Sequence, residues 1–257
     1  MKRLRRFFQI LYCFWALAWF VIIMLLVFPL IVVLGLTQNI KAANWVYLLC
    51  NYWGRAWYVT SGLKHLEIYE APHDKTRQYI FVANHISYMD IPPVVMSIHQ
   101  PVRVLGKAEM VKIPVFGQIY RSAVILVDRS SPEKRARSVR ALKSALRHGI
   151  SIFIFPEGTF NETPHPLKDF FDGPFRIAIE TQTPIKPILF PDTHERMHYR
   201  GFFELTPGRS RVVYLDEIPV TGYELKDVAI LKRKVHAIME AAIIRYRAAL
   251  PGVENSK

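Results

Sequence analysis

From Phe7 to Leu36 the chain is an almost unbroken apolar run, with Gln9 its one strongly polar side chain. A helix over that run measures about 45 Å, against about 30 Å of bilayer hydrocarbon. Two arrangements fit the excess length. One is a single tilted span; the other is a helical hairpin that dips into one leaflet and returns. Pro29 and Gly35 are positions that could bend or end the helix. Lys2, Arg3, Arg5 and Arg6 precede the run, and the chain after it is basic as well. Positive flanks stay on the cytoplasmic side, so two such flanks favour the hairpin. Ala16-Leu17-Ala18 has small residues at leader-cleavage spacing, but it lies deep inside a run about twice the length of a signal sequence, which argues against removal.

Asn44 to Tyr58 is a second membrane-proximal element. Trp45, Leu49, Trp53 and Trp57 recur every four residues along one helical stripe, joined by Tyr47, Tyr52 and Tyr58. Rings with one apolar and one polar end suit the headgroup level, and they suit an aromatic-packed core helix equally well. Residues 1–60 are therefore read as a membrane-attachment unit, and 61–257 as a globular domain.

After Gly62 short apolar runs alternate with amphipathic stretches. Strands are expected at Leu63–Tyr69, Tyr79–Ala83, Val102–Leu105, Ala123–Val127, Ile150–Phe155, Pro187–Phe190 and Arg211–Leu215, all rich in Ile, Val, Phe and Tyr. A helix is predicted after Ser131, with Pro132 in its first turn, Ala136, Val139, Leu142 and Leu146 on one face, and Gly149 to close it. A last helix runs from about Leu225 to Leu250, ahead of Pro251-Gly252. The alternation predicts an α/β fold, a mostly parallel central sheet flanked by helices, with the N-terminal helical segment embedded in the membrane.

Composition sharpens this picture in two ways. A net charge of +13 favours anionic partners, and the apolar N-terminus makes an anionic membrane surface the first candidate. Nucleic acid is disfavoured, because the basic residues are scattered and no binding module is recognisable. Cys13 and Cys50 offer neither a disulfide framework nor zinc-ligand spacing.

Two polar clusters each follow an apolar strand, where sites in parallel sheets sit. They are Asn84-His85-Ile86-Ser87-Tyr88-Met89-Asp90 and Pro156-Glu157-Gly158-Thr159. If a helical turn begins near Ser87, Asp90 swings back to meet the His85 ring. A carboxylate on one imidazole nitrogen fixes the tautomer and leaves the other as a base. Ser87 lacks the Gly-x-Ser-x-Gly elbow of a nucleophile, so the pair suits direct activation of a substrate hydroxyl. Taken alone, a His-x-x-x-x-Asp spacing also describes a structural histidine in a loop.

The surrounding residues resolve that ambiguity. Asn84-His85-x-x-x-x-Asp90 together with Phe155-Pro156-Glu157-Gly158-Thr159 resembles the glycerolipid acyltransferases, and more narrowly the bacterial 1-acylglycerol-3-phosphate acyltransferases. Lys107, Pro114 and Gly117, leading into Val127-Asp128-Arg129, resemble the family's second block, and Pro184-Ile185-Lys186-Pro187-Ile188 its fourth. The resemblance implies that His85 is the general base and Asp90 its partner. It implies that Asn84, Glu157, Gly158 and Thr159 belong to the acceptor site, with Lys107 and Arg129 candidates for a phosphate. The implied reaction moves a fatty acyl group from acyl-CoA or acyl carrier protein to the lysolipid, making phosphatidic acid in phospholipid biosynthesis. No metal or bound cofactor is implied, and the catalytic domain is expected on the cytoplasmic face. One position departs: Phe160 stands where the family commonly has a phosphate-binding arginine, and a phenyl ring supplies no paired donors. Either another cation such as Lys107, Arg129 or Arg176 compensates, or the acceptor is a different lysolipid, such as a lyso-ornithine lipid or lysophospholipid.

Other functions are separable. His194-Glu195-Arg196-Met197-His198 fits the zinc-protease pattern His-Glu-x-x-His, but Pro191 and Gly201 leave room for barely two helical turns, so a surface loop is expected there. A non-enzymatic membrane binder would not need His85, Asp90 or Glu157. A thioester hydrolase would replace the lipid hydroxyl by water.

Overall fold

The computed structural model describes residues 2–37, 40–127, 131–198 and 201–248. Two long helices, α1 (Lys2–Leu36) and α2 (Ile40–Thr60), lead into β1 (Leu63–Tyr69) and β2 (Ile80–Ala83). The chain continues through α3 (Ile91–Ser97), β3 (Val102–Lys107), α4 (Phe116–Ala123), β4 (Val124–Val127), α5 (Pro132–Arg147) and β5 (Ser151–Ile154). It ends with α6 (Gly173–Thr181), β6 (Ile185–Leu189), α7 (Thr193–Arg196), β7 (Gly208–Tyr214) and α8 (Val228–Ala248). All seven expected strands form, displaced by a few residues at their ends. The Ser131 side chain caps α5 by accepting from the Lys134 amide, as the sequence predicts. The final helix opens with a 3-10 turn over Leu225–Asp227, and its expected end at 249–250 lies outside the described residues.

The strands form one sheet in the order β1-β7-β6-β2-β5-β3-β4. Every pairing is parallel except β6 with β7. β2 is central and fully buried, because helices cover both faces; this is why it reads as a continuous apolar run. Ile80 and Val82 face a core built with α5, α6 and α8. Tyr79, Phe81 and Ala83 face a second core that includes Tyr47 of α2 and Val94 of α3. Side-chain alternation along the strand divides these two cores.

The expected return bend inside Phe7–Leu36 does not occur. α1 continues through Pro29 to Leu36. A proline inside a helix loses a backbone bond and crowds the preceding turn, but here packing prevails: Ile31 is fully buried, and Phe28 joins a cluster with Val46 and Ile119. The chain reverses after Leu36 instead, and α1 and α2 lie antiparallel. Trp53 Nε1 donates to Phe20 O (3.1 Å), Trp57 Nε1 to Ala16 O (2.7 Å), and Tyr12 Oη to Ser61 O (2.7 Å). The aromatic stripe is thus divided: Trp53 and Trp57 pack between the helices, while Trp45 is largely exposed.

Residues 3–36 are long and apolar enough to cross a membrane, with mean hydropathy 3.1 over the best window and only 11% of that window buried. The inner side of α1 is nonetheless fastened to the globular body. Cys13 Sγ contacts Leu205 O, Phe14 packs on Phe203 with ring centroids 5.5 Å apart, and Arg6 reaches Phe203 O.

Candidate active site

His85 leaves the C-terminal end of β2, and the residues after it turn at once. Ser87 caps a 3-10 turn over Tyr88–Asp90: its hydroxyl oxygen accepts from the Met89 amide (3.0 Å) and its O–H donates to Met197 O (2.6 Å). The turn returns the Asp90 carboxylate to the start of the loop. Asp90 Oδ2 accepts from the Ile86 amide (2.7 Å), the Ser87 amide (2.9 Å) and His85 Nδ1 (2.8 Å). Asp90 is fully buried, whereas the His85 side chain keeps 15% exposure. With Nδ1–H committed to the carboxylate, the Nε2 lone pair remains available as a base. Among the described residues Asp90 is the ring's one hydrogen-bond partner.

The neighbouring strand braces this arrangement. After β5 the chain turns at Gly158, whose φ of 73° is the left-handed conformation that suits glycine. Glu157 is buried beneath the loop: Oε1 accepts the His85 amide (2.7 Å) and Oε2 the Lys168 amide (2.9 Å). Burial pushes its carboxyl up to about 7, against the pull of those two amides. The Asn161 amide donates to His85 O (2.7 Å), so both backbone groups of His85 are held by residues 157–161. The ring itself lies between Phe155 (centroids 3.9 Å, stacked) and Phe160 (4.4 Å, tilted), and Phe160 in turn meets Tyr88 edge-on at 4.7 Å.

The structure distributes the remaining expected site residues unevenly. Asn84 turns away from the open side: it is 2% exposed, donates to Phe190 O (3.1 Å) and accepts from Phe190 N (2.7 Å). Its geometry ties β2 to the end of β6 and does not present the amide to a substrate. Glu157 likewise reaches backbone amides, so it positions His85 from within. Thr159 is exposed, and its hydroxyl accepts from Lys168 Nζ (2.7 Å). Lys107 is exposed at the C-terminal end of β3, on the same edge of the sheet. Arg176 is exposed on α6. Arg129 lies outside the described residues. Pro114 and Gly117 make a tight structural turn in which a Cβ at Gly117 would stand 2.1 Å from Val111 O.

Sequence reasoning did not single out Phe155, Asn161 or Lys168 as site residues. Phe155 and Asn161 adjoin the second polar cluster, and that adjacency was the available signal; the ring sandwich depends on strand pairing. The His194–His198 segment forms a single helical turn, α7. Its two rings meet at 4.7 Å, and burial holds His194 below the usual imidazole range. Among the described residues no group of three or more His, Cys, Asp or Glu is placed to hold a metal ion.

Comparison with known proteins adds an independent line. Residues 65–190 match the family described as Acyltransferase. The 1-acyl-sn-glycerol-3-phosphate acyltransferase of Haemophilus influenzae is 28% identical over 221 residues, covering 83% of this chain and 89% of that protein. The enzyme of the same name from Salmonella typhimurium is 30% identical over 166 residues, 64% of this chain and 66% of that one. The coconut (Cocos nucifera) enzyme of that name is 29% identical over 161 residues, and the match spans 62% of this chain and about half (52%) of the coconut protein. The crystal structure of the 1-acyl-sn-glycerophosphate acyltransferase PlsC from Thermotoga maritima superposes with a TM-score of 0.74 at 22% identity. It covers 97% of this chain and 99% of that chain, so α1 and α2 belong to the shared fold.

Proposed function

The chain belongs to the acyltransferase family, and on that premise we propose that it transfers a fatty acyl group from a thioester to the free hydroxyl of a 1-acylglycerol 3-phosphate, yielding phosphatidic acid. The observation that carries this reading is the 2.8 Å contact between His85 Nδ1 and the buried Asp90 carboxylate at the carboxyl end of the central strand. The acceptor hydroxyl hydrogen-bonds to His85 Nε2. Its proton passes to the ring as its oxygen attacks the thioester carbonyl, and Asp90 stabilises the imidazolium. The tetrahedral intermediate then collapses, the carbon–sulfur bond breaks, and the thiolate takes the proton from the ring. The donor is acyl-CoA or acyl carrier protein; either thioester satisfies the chemistry. His85 and its neighbours supply a base held in one orientation, an effect of about 10²- to 10⁴-fold.

Membrane attachment through α1 brings the acceptor to the site from the bilayer plane, and the basic N-terminal flank supports a cytoplasmic catalytic domain. The test is purified His85→Ala in detergent or vesicles, given labelled thioester and lysolipid. The variant is expected to keep its fold and membrane binding and to lose at least about a hundredfold in turnover. Near-normal transfer by this variant overturns the assignment. Wild-type thioester cleavage that ignores added lysolipid identifies a hydrolase instead.

A further inference from the structure

We propose that the ammonium of Lys168 is the anion-binding group of the acceptor site and sets its preference for phosphate-bearing lysolipids, a proposal that rests on the acyl transfer described above. Lys168 is tied into the same frame as the base. One carboxylate, Glu157, accepts the Lys168 amide through Oε2 (2.9 Å) and the His85 amide through Oε1 (2.7 Å), which fixes the two backbones relative to each other. The side chain then reaches the exposed Thr159, where Nζ donates to Oγ1 at 2.7 Å. Thr159 directly precedes Phe160, whose ring lies against His85 at 4.4 Å. Lys168 therefore holds a positive charge on the loop that braces the base, at the exposed Thr159.

The partner's chemistry sets this cation apart from four others on the protein. Lys143, Lys232, Arg211 and Arg245 are each paired with a carboxylate: Glu180, Asp172, Asp192 and Glu70. Such a pair is already neutralised toward an incoming anion. Thr159 is a neutral acceptor, so it orients the ammonium without cancelling its charge, and it takes only one of three N–H donors. The Glu157 oxygens lie beneath, occupied by backbone amides. Phe160 and Tyr88 bring no charge to the mouth of the site. In glycerol 3-phosphate the phosphate is a few bonds from the secondary hydroxyl. A site for it belongs beside the imidazole rather than on it, and Thr159, next in the chain to the Phe160 that packs on His85, directs the ammonium to that side of the loop.

The experiment compares acceptors rather than total activity. Wild type, Lys168→Ala, Lys168→Arg and a surface control, Lys234→Ala at an exposed position of α8, receive one acyl-CoA and either 1-acylglycerol 3-phosphate or 1-acylglycerol in mixed micelles. In Lys168→Ala the ratio of kcat/KM for the phosphate-bearing over the phosphate-free acceptor is expected to fall by about tenfold or more, the size of a lost hydrogen bond to a charged group. The change is expected mainly in KM. Lys168→Arg is expected to recover most of the ratio, and Lys234→Ala to keep it. If Lys168→Ala keeps the wild-type ratio, or if the control loses as much, the proposal is overturned. A wild type that does not acylate the phosphate-bearing acceptor overturns the functional reading instead, so the two failures are told apart.

Discussion

Replacing Glu157 by glutamine removes a carboxylate that has no exposure and two amide partners. Its folded-state value of about 7 lies above its ordinary 4.5, because burial penalises the charge more than the two amides support it. The native protein thus holds this proton more tightly than the unfolded chain. The associated stability is complete below pH 4.5 and is lost as pH rises through about 7. A shift of that size corresponds to about 3 kcal/mol. Wild type should therefore lose about 3 kcal/mol from this group between pH 4 and pH 8, and Glu157→Gln, which cannot ionise, should lack that slope. The glutamine also turns an N–H toward one of the two amides, leaving a buried donor unmatched at a cost of about 1–3 kcal/mol. If the amide of His85 is the one released, the ring moves; a displacement of about 1 Å is enough for a loss of order 10²-fold in turnover. Denaturant unfolding at a series of pH values, with kcat/KM for acyl transfer on the same samples, measures both effects. Parallel stability profiles for the two proteins, or wild-type turnover in the variant, would refute the account of Glu157 as a buried brace.

Two further substitutions probe other parts of the structure. Asp90→Asn preserves shape but removes the charge that stabilises the imidazolium and lets the ring adopt the wrong tautomer; such a change in a His–Asp pair lowers turnover by about 10⁴-fold, and unchanged steady-state rates would contradict the role given to the 2.8 Å contact. Trp57→Ala removes a ring buried against Phe20 and leaves Ala16 O without its donor, for an expected loss of about 3–5 kcal/mol; thermal unfolding in detergent at the wild-type midpoint would show that the α1–α2 seam contributes little.

The sheet was readable because its central strands are buried on both faces, so Ile80-Phe81-Val82-Ala83 and Ile152-Phe153-Ile154 stand out as apolar blocks. α5 was readable from its cap and its periodicity. α3, α4 and α6 are 7, 8 and 9 residues long, too short for helical periodicity to reveal. The course of α1 was misjudged because Pro29 is a local signal, whereas the packing of Ile31 and Phe28 that overrides it is tertiary. The His85–Asp90 contact was legible because both partners lie on one turn of chain. The contacts from Glu157 to His85, from Asn84 to Phe190 and from Lys168 to Thr159 were not. The first two span 72 and 106 residues and depend on which strands lie side by side, and the third depends on how a loop folds back.

The seam between α1 and the globular body has a consequence for how such a protein encounters its substrates. Cys13, Phe14 and Tyr12 are fastened to Leu205, Phe203 and Ser61, so the apolar outer side of the helix is joined directly to the domain whose central strand leads to His85. With membrane attachment through α1 as proposed above, these contacts keep the imidazole near the lipid surface. Encounter then depends on how many acceptors occupy each unit of area rather than each unit of volume, and lipid that merely dilutes the surface acts as an inhibitor without binding anything.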